Sequence, residues 1–228
     1  ADMGGAGYIF SGENDAKVMH NSALINLHTA QACVECEVEK VFYSSSACIY
    51  PEHNQRDSMN PKLNEDSAYP AAPDSAYGWE KLFGERVYQA YTKNLGVHIK
   101  IGRLHNIYGP QGAWNNGKEK APAALCRKIA EVEDGGEIEI WGDGLQTRSF
   151  LFIDDCLDAI RALMKHEAFC GPVNIGSEEM VTINGLANLI MQHAGKSIKI
   201  RHVSGPTGVR GRSSDNALIY ACLSWQPK

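Results

Sequence analysis

Apolar residues along the chain switch repeatedly between helical and extended spacing, the rhythm of an α/β protein. Past a glycine-rich opening loop, the spacing predicts a helix from about Asn21 to Val34, then a strand at Val41-Phe42-Tyr43 running into Ser44-Ser45-Ser46. That order is one half of a βαβ unit. The stretch from Pro51 to Pro73 is polar and broken by proline, a composition suited to a surface loop. From Ser75 to Leu95 the pattern is helical again. Phe83, Val87, Ala90 and Tyr91 recur at i, i+4, i+7 and i+8, and Gly96 stands where that helix should end. Val97 to Leu104 reads as a strand ending at His105-Asn106.

Beyond Gly109-Pro110 the chain is loop-rich through Lys120. A helix is then predicted from Ala121 to Glu131 and a short strand from Glu137 to Trp141. Ser149 to Ile153 and Pro172 to Ile175 read as strands, Asp154 to Lys165 and Ile183 to Ala194 as helices. In open parallel sheets ligands bind beyond the carboxyl ends of strands, where Ser46 and Asn106 both fall.

Composition narrows the functional classes. At 228 residues and 43% hydrophobic content the chain can bury a core. A net charge of -5 argues against a generic nucleic-acid binder. No apolar run approaches the roughly 20 residues that cross a bilayer, and the opening residues lack a signal-peptide pattern, so a soluble cytoplasmic protein is expected. Seven irregularly spaced cysteines point to reduced thiols. The Cys33/Cys36 pair lies inside a helical pattern without a second such pair, so no metal site is expected.

The chemistry centres on Tyr77-Gly78-Trp79-Glu80-Lys81. Tyr77 and Lys81 are four apart on a helix and share a face. A lysine cation there favours tyrosinate, which a phenol with a pKa of about 10 needs in order to act as a base. Lys81 could also hold a ribose hydroxyl of a nicotinamide cofactor. Alone, the pair is an ordinary helical spacing. Ser46 makes it specific, because a strand-end hydroxyl can hydrogen-bond the same substrate oxygen that Tyr77 deprotonates.

A strand-end serine with a downstream Tyr-x-x-x-Lys resembles the extended short-chain dehydrogenase/reductases, the NAD-dependent epimerase/dehydratase family, which oxidise or reduce a sugar carbon with bound NAD(P). Local segments narrow the likeness: Ala1-Asp2-Met3-Gly4-Gly5, Ser45-Ser46-Ala47-Cys48-Ile49-Tyr50-Pro51, Arg103 to Pro110, Glu119-Lys120-Ala121-Pro122-Ala123-Ala124, Trp141 to Phe150 and Val209-Arg210-Gly211-Arg212. They are similar to the branch of that family that epimerises GDP-mannose at C3 and C5.

The resemblance implies a Rossmann-like, doubly wound parallel sheet with a smaller C-terminal substrate domain. Residues 1–110 would belong to the NAD-binding part, with 143–177 returning to it, and 111–142 and 178–228 to the substrate domain. It implies that Tyr77 removes the C4 hydroxyl proton, with Ser46 bonded to the oxygen and Lys81 beside the cofactor NAD. The C4 ketone acidifies C3 and C5, where Cys48 would act as base and Lys120 as acid, before C4 is reduced again. The products would be GDP-L-galactose and GDP-L-gulose, in L-ascorbate synthesis. Substrate contacts are implied for Gly4, Ser46, Ala47, Cys48, Asn106, Glu119, Lys120, Ala121, Lys128, Gln146, Thr147, Arg148 and Arg212, with Arg210 an alternative to Arg212. Cofactor contacts fall to Tyr77 and Lys81. A homodimer through the Tyr77 helix and its neighbour is also implied.

The family's first strands and the glycine-rich turn that holds the cofactor pyrophosphate do not occur in this sequence. The expectation is therefore an N-terminally truncated part of a longer protein, inactive as an isolated fragment. Two other readings stand beside it. A related 4-epimerase would need no Cys48/Lys120 pair, and a 4,6-dehydratase would carry Asp-Glu after the strand-end hydroxyl. A scaffold subunit would have kept the fold and lost its cofactor site.

Overall fold

A computed structural model describes residues 3–59, 61 and 63–228. Ala1 and Asp2, which open the first of the resembling segments, lie outside the described residues. Two helices, Ala6–Ile9 (α1) and Asp15–Glu35 (α2), precede the strand Lys40–Ser46 (β1), and Ala76–Leu95 (α3) leads to His98–Leu104 (β2). The short strand Ile107–Tyr108 (β3), the helix Ala121–Glu131 (α4) and the strand Glu137–Trp141 (β4) follow. Next come Thr147–Ser149 (β5), Leu151–Phe152 (β6), Ile153–Lys165 (α5) and Val173–Ile175 (β7). The last elements are Met180–Thr182 (β8), Ile183–Ala194 (α6), Lys199–Val203 (β9), Gly211–Arg212 (β10) and Ala217–Leu223 (α7).

The main sheet has the order β1-β2-β7, all parallel, with Ser46 opposite Leu104 and Leu104 opposite Ile175. Strand alternation decides which helices cover which face. Tyr43, Ile99 and Ile101 pack with Ala30 and Tyr88 of α2 and α3. Phe42, Leu104, Val173 and Ile175 pack with Ala159, Leu163 and Ile219 of α5 and α7 on the other side. The result is the expected sheet with helices on both faces. Central β2 also buries two cations, and each is satisfied on its own side. Lys100 Nζ donates to the carbonyls of His166, Glu167 and Phe169 past the end of α5, at 2.6, 3.2 and 2.8 Å. Arg103 forms a fork with Glu85 of α3, Nε to Oε1 at 3.0 Å and Nη2 to Oε2 at 2.9 Å.

A second layer forms where β4 and β9 pair in parallel beneath α4 and α6, around Leu125, Ile129, Ile138, Ile140 and Ala187. Lys196 caps the end of α4, donating to the carbonyls of Ile129, Ala130 and Val132.

Several expectations need correction. The Pro51–Pro73 stretch is a surface segment only in part: Met59 and Tyr69 are exposed, but Gln55, Leu63 and Ala68 are buried, and Leu63 packs with Ile49, Tyr50 and Leu82. Distant partners satisfy its polar backbone, since Asn174 Nδ2 donates to Leu63 O at 2.8 Å and Arg103 Nη1 to Glu65 O at 2.9 Å. The strand expected over Ser149–Ile153 splits at Phe150 into β5 and β6. β5 joins β10 and β8 in a separate three-stranded sheet and β6 pairs with β3, so of the three strands in 143–177 it is β7 that joins the main sheet. Conversely α7, within the part expected to be substrate domain, packs its Ile219 into the main-sheet core. The opening loop contains α1, and α2 begins six residues earlier than Asn21, at Asp15.

Candidate active site

The end of β1 turns sharply. Ser46 is extended and its Oγ accepts from Cys48 N at 3.2 Å, closing a single 3-10 turn over Ala47–Ile49. α3 begins beside that turn, with Ser75 as its N-cap, accepting from Gly78 N. Gly78 permits the approach: a Cβ on it would lie 2.2 Å from the Cys48 carbonyl oxygen. The helix therefore sits close enough for the buried Tyr77 hydroxyl to hydrogen-bond the Ser46 side chain.

Lys81 follows one turn later, buried, with Nζ donating to Ser44 O at 3.0 Å and lying 5.1 and 5.8 Å from the ring centres of Tyr43 and Tyr77. Burial pushes the Tyr77 phenol up, and the Cys48 charge adds to the rise; the Ser46 hydrogen bond and Arg212 oppose it. Burial also lowers Lys81, against Glu80 and Cys48.

At the end of β2, Asn106 takes a left-handed conformation, φ 45°, that an asparagine tolerates better than most side chains, and its Nδ2 donates to Ser149 O at 2.9 Å. Lys120 is the N-cap residue of α4 and its Nζ reaches Ile107 O at 3.4 Å. Burial lowers its pKa, while the nearby Cys48 and Cys156 thiols favour its charge. From the far side comes β10. Arg212 places Nη1 3.1 Å from Cys48 Sγ and Nε 2.6 Å from Gln55 Oε1. Among the described residues Arg148 donates to carbonyls, those of Thr147 at 2.7 Å and Thr207 at 3.1 Å. Burial and the neighbouring Arg212 disfavour its charge, a strain an incoming anion relieves.

These groups share one cavity of about 500 Å³. Its lining includes Gly4, Ser46, Ala47, Cys48, Tyr77 and Asn106, together with Glu119, Lys120, Ala121, Lys128, Gln146, Arg148 and Arg212. Two predicted residues stand apart. Lys81 lies outside the lining. Thr147 is buried with its hydroxyl donated to Ser58 O, away from the cavity. Strand alternation explains it, since Arg148 next to it points inward. Between the two arginine candidates, Arg212 lines the cavity, whereas Arg210 is exposed and paired with Asp143 at 2.9 Å. Among the residues of the site not foreseen from sequence are Gln55 and Asp74, which flank Arg212, and the cavity-lining Phe10 and Trp141. Gln55 sat in the stretch taken for a surface loop, and Asp74 stood just before the predicted helix with no pattern of its own.

A parallel sheet with a Tyr/Lys helix over a strand-end serine, opening on a cationic cavity, defines a Rossmann-type protein of the short-chain dehydrogenase/reductase class. The chain belongs to the NAD dependent epimerase/dehydratase family, which matches residues 4–176. It is 48% identical over 227 residues to the GDP-mannose 3,5-epimerase of Arabidopsis thaliana, covering 100% of this chain and 59% of that protein. With the GDP-mannose 3,5-epimerase 1 of Oryza sativa subsp. indica it shares 49% identity, covering 100% of this chain and 58% of the relative. The chain thus spans a little under three-fifths of the length of these relatives. The fold is also that of the Thermus thermophilus UDP-glucose 4-epimerase solved with NAD, at TM-score 0.83 and 19% identity, over 100% of this chain and 70% of that one.

Proposed function

We propose that the full-length protein containing this chain converts GDP-mannose to GDP-L-galactose, and to GDP-L-gulose when only C5 inverts. The observation that carries the reading is the presence of Cys48 and Lys120 in the same cavity as Ser46 and Tyr77. A redox pair alone suits many sugar enzymes. A thiol and an ammonium added to it suit proton removal and return at carbons beside a ketone.

Tyr77 takes the C4 hydroxyl proton, and Ser46 hydrogen-bonds the same oxygen. NAD fits beside them, because the buried Lys81 commits one of its three donors to Ser44 O and keeps the others for ribose hydroxyls; when bound, it would supply reversible hydride acceptance at C4. With C4 a ketone, the Cys48 thiolate removes the C5 or C3 proton, and the electron pair delocalises onto the C4 oxygen. Lys120 delivers a proton to the opposite face, which inverts the centre. Its lowered pKa makes it a readier acid near neutrality than an ordinary lysine. The thiol and the amine then exchange protons with solvent, so no reagent is consumed. Arg148, Arg212 and Lys128 supply positive charge for the diphosphate, and the two guanidinium forks suit its oxygens. Gly4, Asn106, Glu119, Ala121 and Gln146 complete the sugar-nucleotide contacts, and Thr147 acts only through its backbone, which anchors Arg148.

The same reading makes the protein a cytoplasmic homodimer of L-ascorbate synthesis. Ile25 on α2 and Trp79 and Phe83 on α3 are exposed apolar residues of the kind a second copy covers.

The test is solvent exchange. In deuterated water the full-length protein should incorporate deuterium at C3 and C5 of GDP-mannose, read by NMR. Cys48→Ala should abolish incorporation yet still allow the substrate to reduce bound cofactor. Undiminished exchange in that variant would remove Cys48 from its assigned role.

A further inference from the structure

Asp74 is the unusual group of the site. Its side chain is 8% exposed, and neither carboxylate oxygen has a hydrogen-bond partner among the described residues. The nearest cation is Arg212, whose Nη2 lies 3.9 Å from Asp74 Oδ2 and is itself buried without a hydrogen bond. The other two faces of that guanidinium are occupied, Nε by Gln55 and Nη1 by Cys48 Sγ. One buried cation thus stands between a carboxylate and a thiol.

We infer that Asp74 is a positioning residue that shares the Arg212 guanidinium with Cys48 and so limits how far Arg212 stabilises the Cys48 thiolate. This rests on the reading of Cys48 as the proton acceptor. The geometry separates charge from orientation. Gln55 holds Arg212 at 2.6 Å whether or not Asp74 is charged, so a neutral residue at 74 leaves the guanidinium beside the sulfur. What changes is the field. An unshared guanidinium favours thiolate more strongly, and the removed carboxylate no longer opposes it.

Several other groups face Cys48. Tyr77 and Lys81 come from α3, Lys120 from the start of α4, Arg148 from β5 and Arg212 from β10. Tyr8 and Ile9 of α1 and Val18 of α2 pack against the Cys48–Tyr77 pair. Glu119 beside Lys120 and Glu80 beside Lys81 also bring negative charge near the site, but Asp74 is the carboxylate that faces the Arg212 guanidinium, which gives it a distinct purpose. Several cations around a thiol would hold it ionised permanently and bind the sulfur to Arg212 as a fixed ion pair. A shared guanidinium leaves the thiol able to take up a proton from carbon, while Gln55 keeps Arg212 in place.

The experiment follows alkylation of Cys48 by iodoacetamide against pH in the full-length protein, with the modified peptide quantified by mass spectrometry to separate it from the other six cysteines. Asp74→Asn should lower the midpoint of that profile by about 0.5 to 1 in pH, raising the thiolate fraction on the acid side about three- to tenfold. Asp74→Glu keeps the charge and should stay close to the wild-type midpoint. Asp74→Ser is a second neutral variant, should the asparagine protein not fold. An unchanged or higher midpoint in a folded neutral variant overturns the inference, since a merely structural carboxylate would leave the thiol titration alone. Deuterium exchange by the unmodified protein is read separately. Its absence would remove the epimerase reading, while the alkylation midpoints would still judge Asp74.

Discussion

Acid should destabilise this fold through one histidine. His105, at the end of β2, is fully buried, and its Nε2 lies 2.9 Å from Asn174 Oδ1. The tautomer follows from the surrounding bonds. Asn174 Nδ2 donates to Leu63 O and Asp215 O, so its Oδ1 faces His105 and can only accept. Nε2 therefore carries the proton, and Nδ1 is a bare, buried lone pair without a partner among the described residues. Protonating Nδ1 would create a cation with no acceptor, near Arg103 and Arg212. Burial first, and those charges after it, depress the pKa from 6.5 to about 3.

Because the folded pKa lies below the unfolded one, the unfolded chain binds a proton that the native protein refuses, and stability falls as pH drops through 6.5 toward 3. At about pH 5 the loss is roughly 2 kcal/mol, at 1.36 kcal/mol for each pH step below the unfolded pKa. Glu65 works in the opposite direction, since burial raises its pKa, so the wild-type profile alone is ambiguous. His105→Gln removes the titration and keeps a donor for Asn174. Urea unfolding of both full-length proteins at about pH 7.5 and about pH 5 should show the wild type losing roughly 2 kcal/mol more than the variant over that interval. Equal losses would refute the reasoning.

Two further substitutions read other parts of the structure. Gly78→Ala puts a Cβ 2.2 Å from a backbone oxygen, so helix and turn must separate; a cost of about 1–3 kcal/mol in denaturant unfolding is expected, with a larger loss in turnover because Tyr77 moves from Ser46. An undisturbed kcat would show that the close approach does not set the site. Arg103→Met leaves the Glu85 carboxylate buried without its cation, though Ser45 Oγ still donates to it, and calorimetry should record a loss of about 3–5 kcal/mol, whereas the double change Arg103→Met with Glu85→Leu should recover much of it.

What could be read from the sequence was what is local. Tyr77 and Lys81 lie within one helix, and Ser46 ends a seven-residue strand, so spacing alone placed their backbones, though not the Lys81 side chain, which lies outside the cavity lining. Cys48 was found by its neighbours in sequence, though not its partner. Arg212 reaches it from 164 positions away, on a strand of only two residues that carries no pattern to detect. Thr147 failed for a related reason. Its segment was placed correctly beside the cavity, but a strand alternates, and which of two adjacent residues points inward depends on pairing with β8 and β10, which lie far along the chain.

The Pro51–Pro73 stretch carries the same lesson furthest. Its composition describes a surface, yet it is pinned beneath the site because Asn174, 111 residues beyond Leu63, supplies the donor its backbone needs. Gln55 belongs to that stretch and fixes Arg212, which touches Cys48. The segment with the weakest periodic signal thus holds the cation that touches the Cys48 sulfur. A substitution there that frees Gln55 should disturb proton chemistry before it disturbs the sheet, since the two are joined through Arg212 and not through the core.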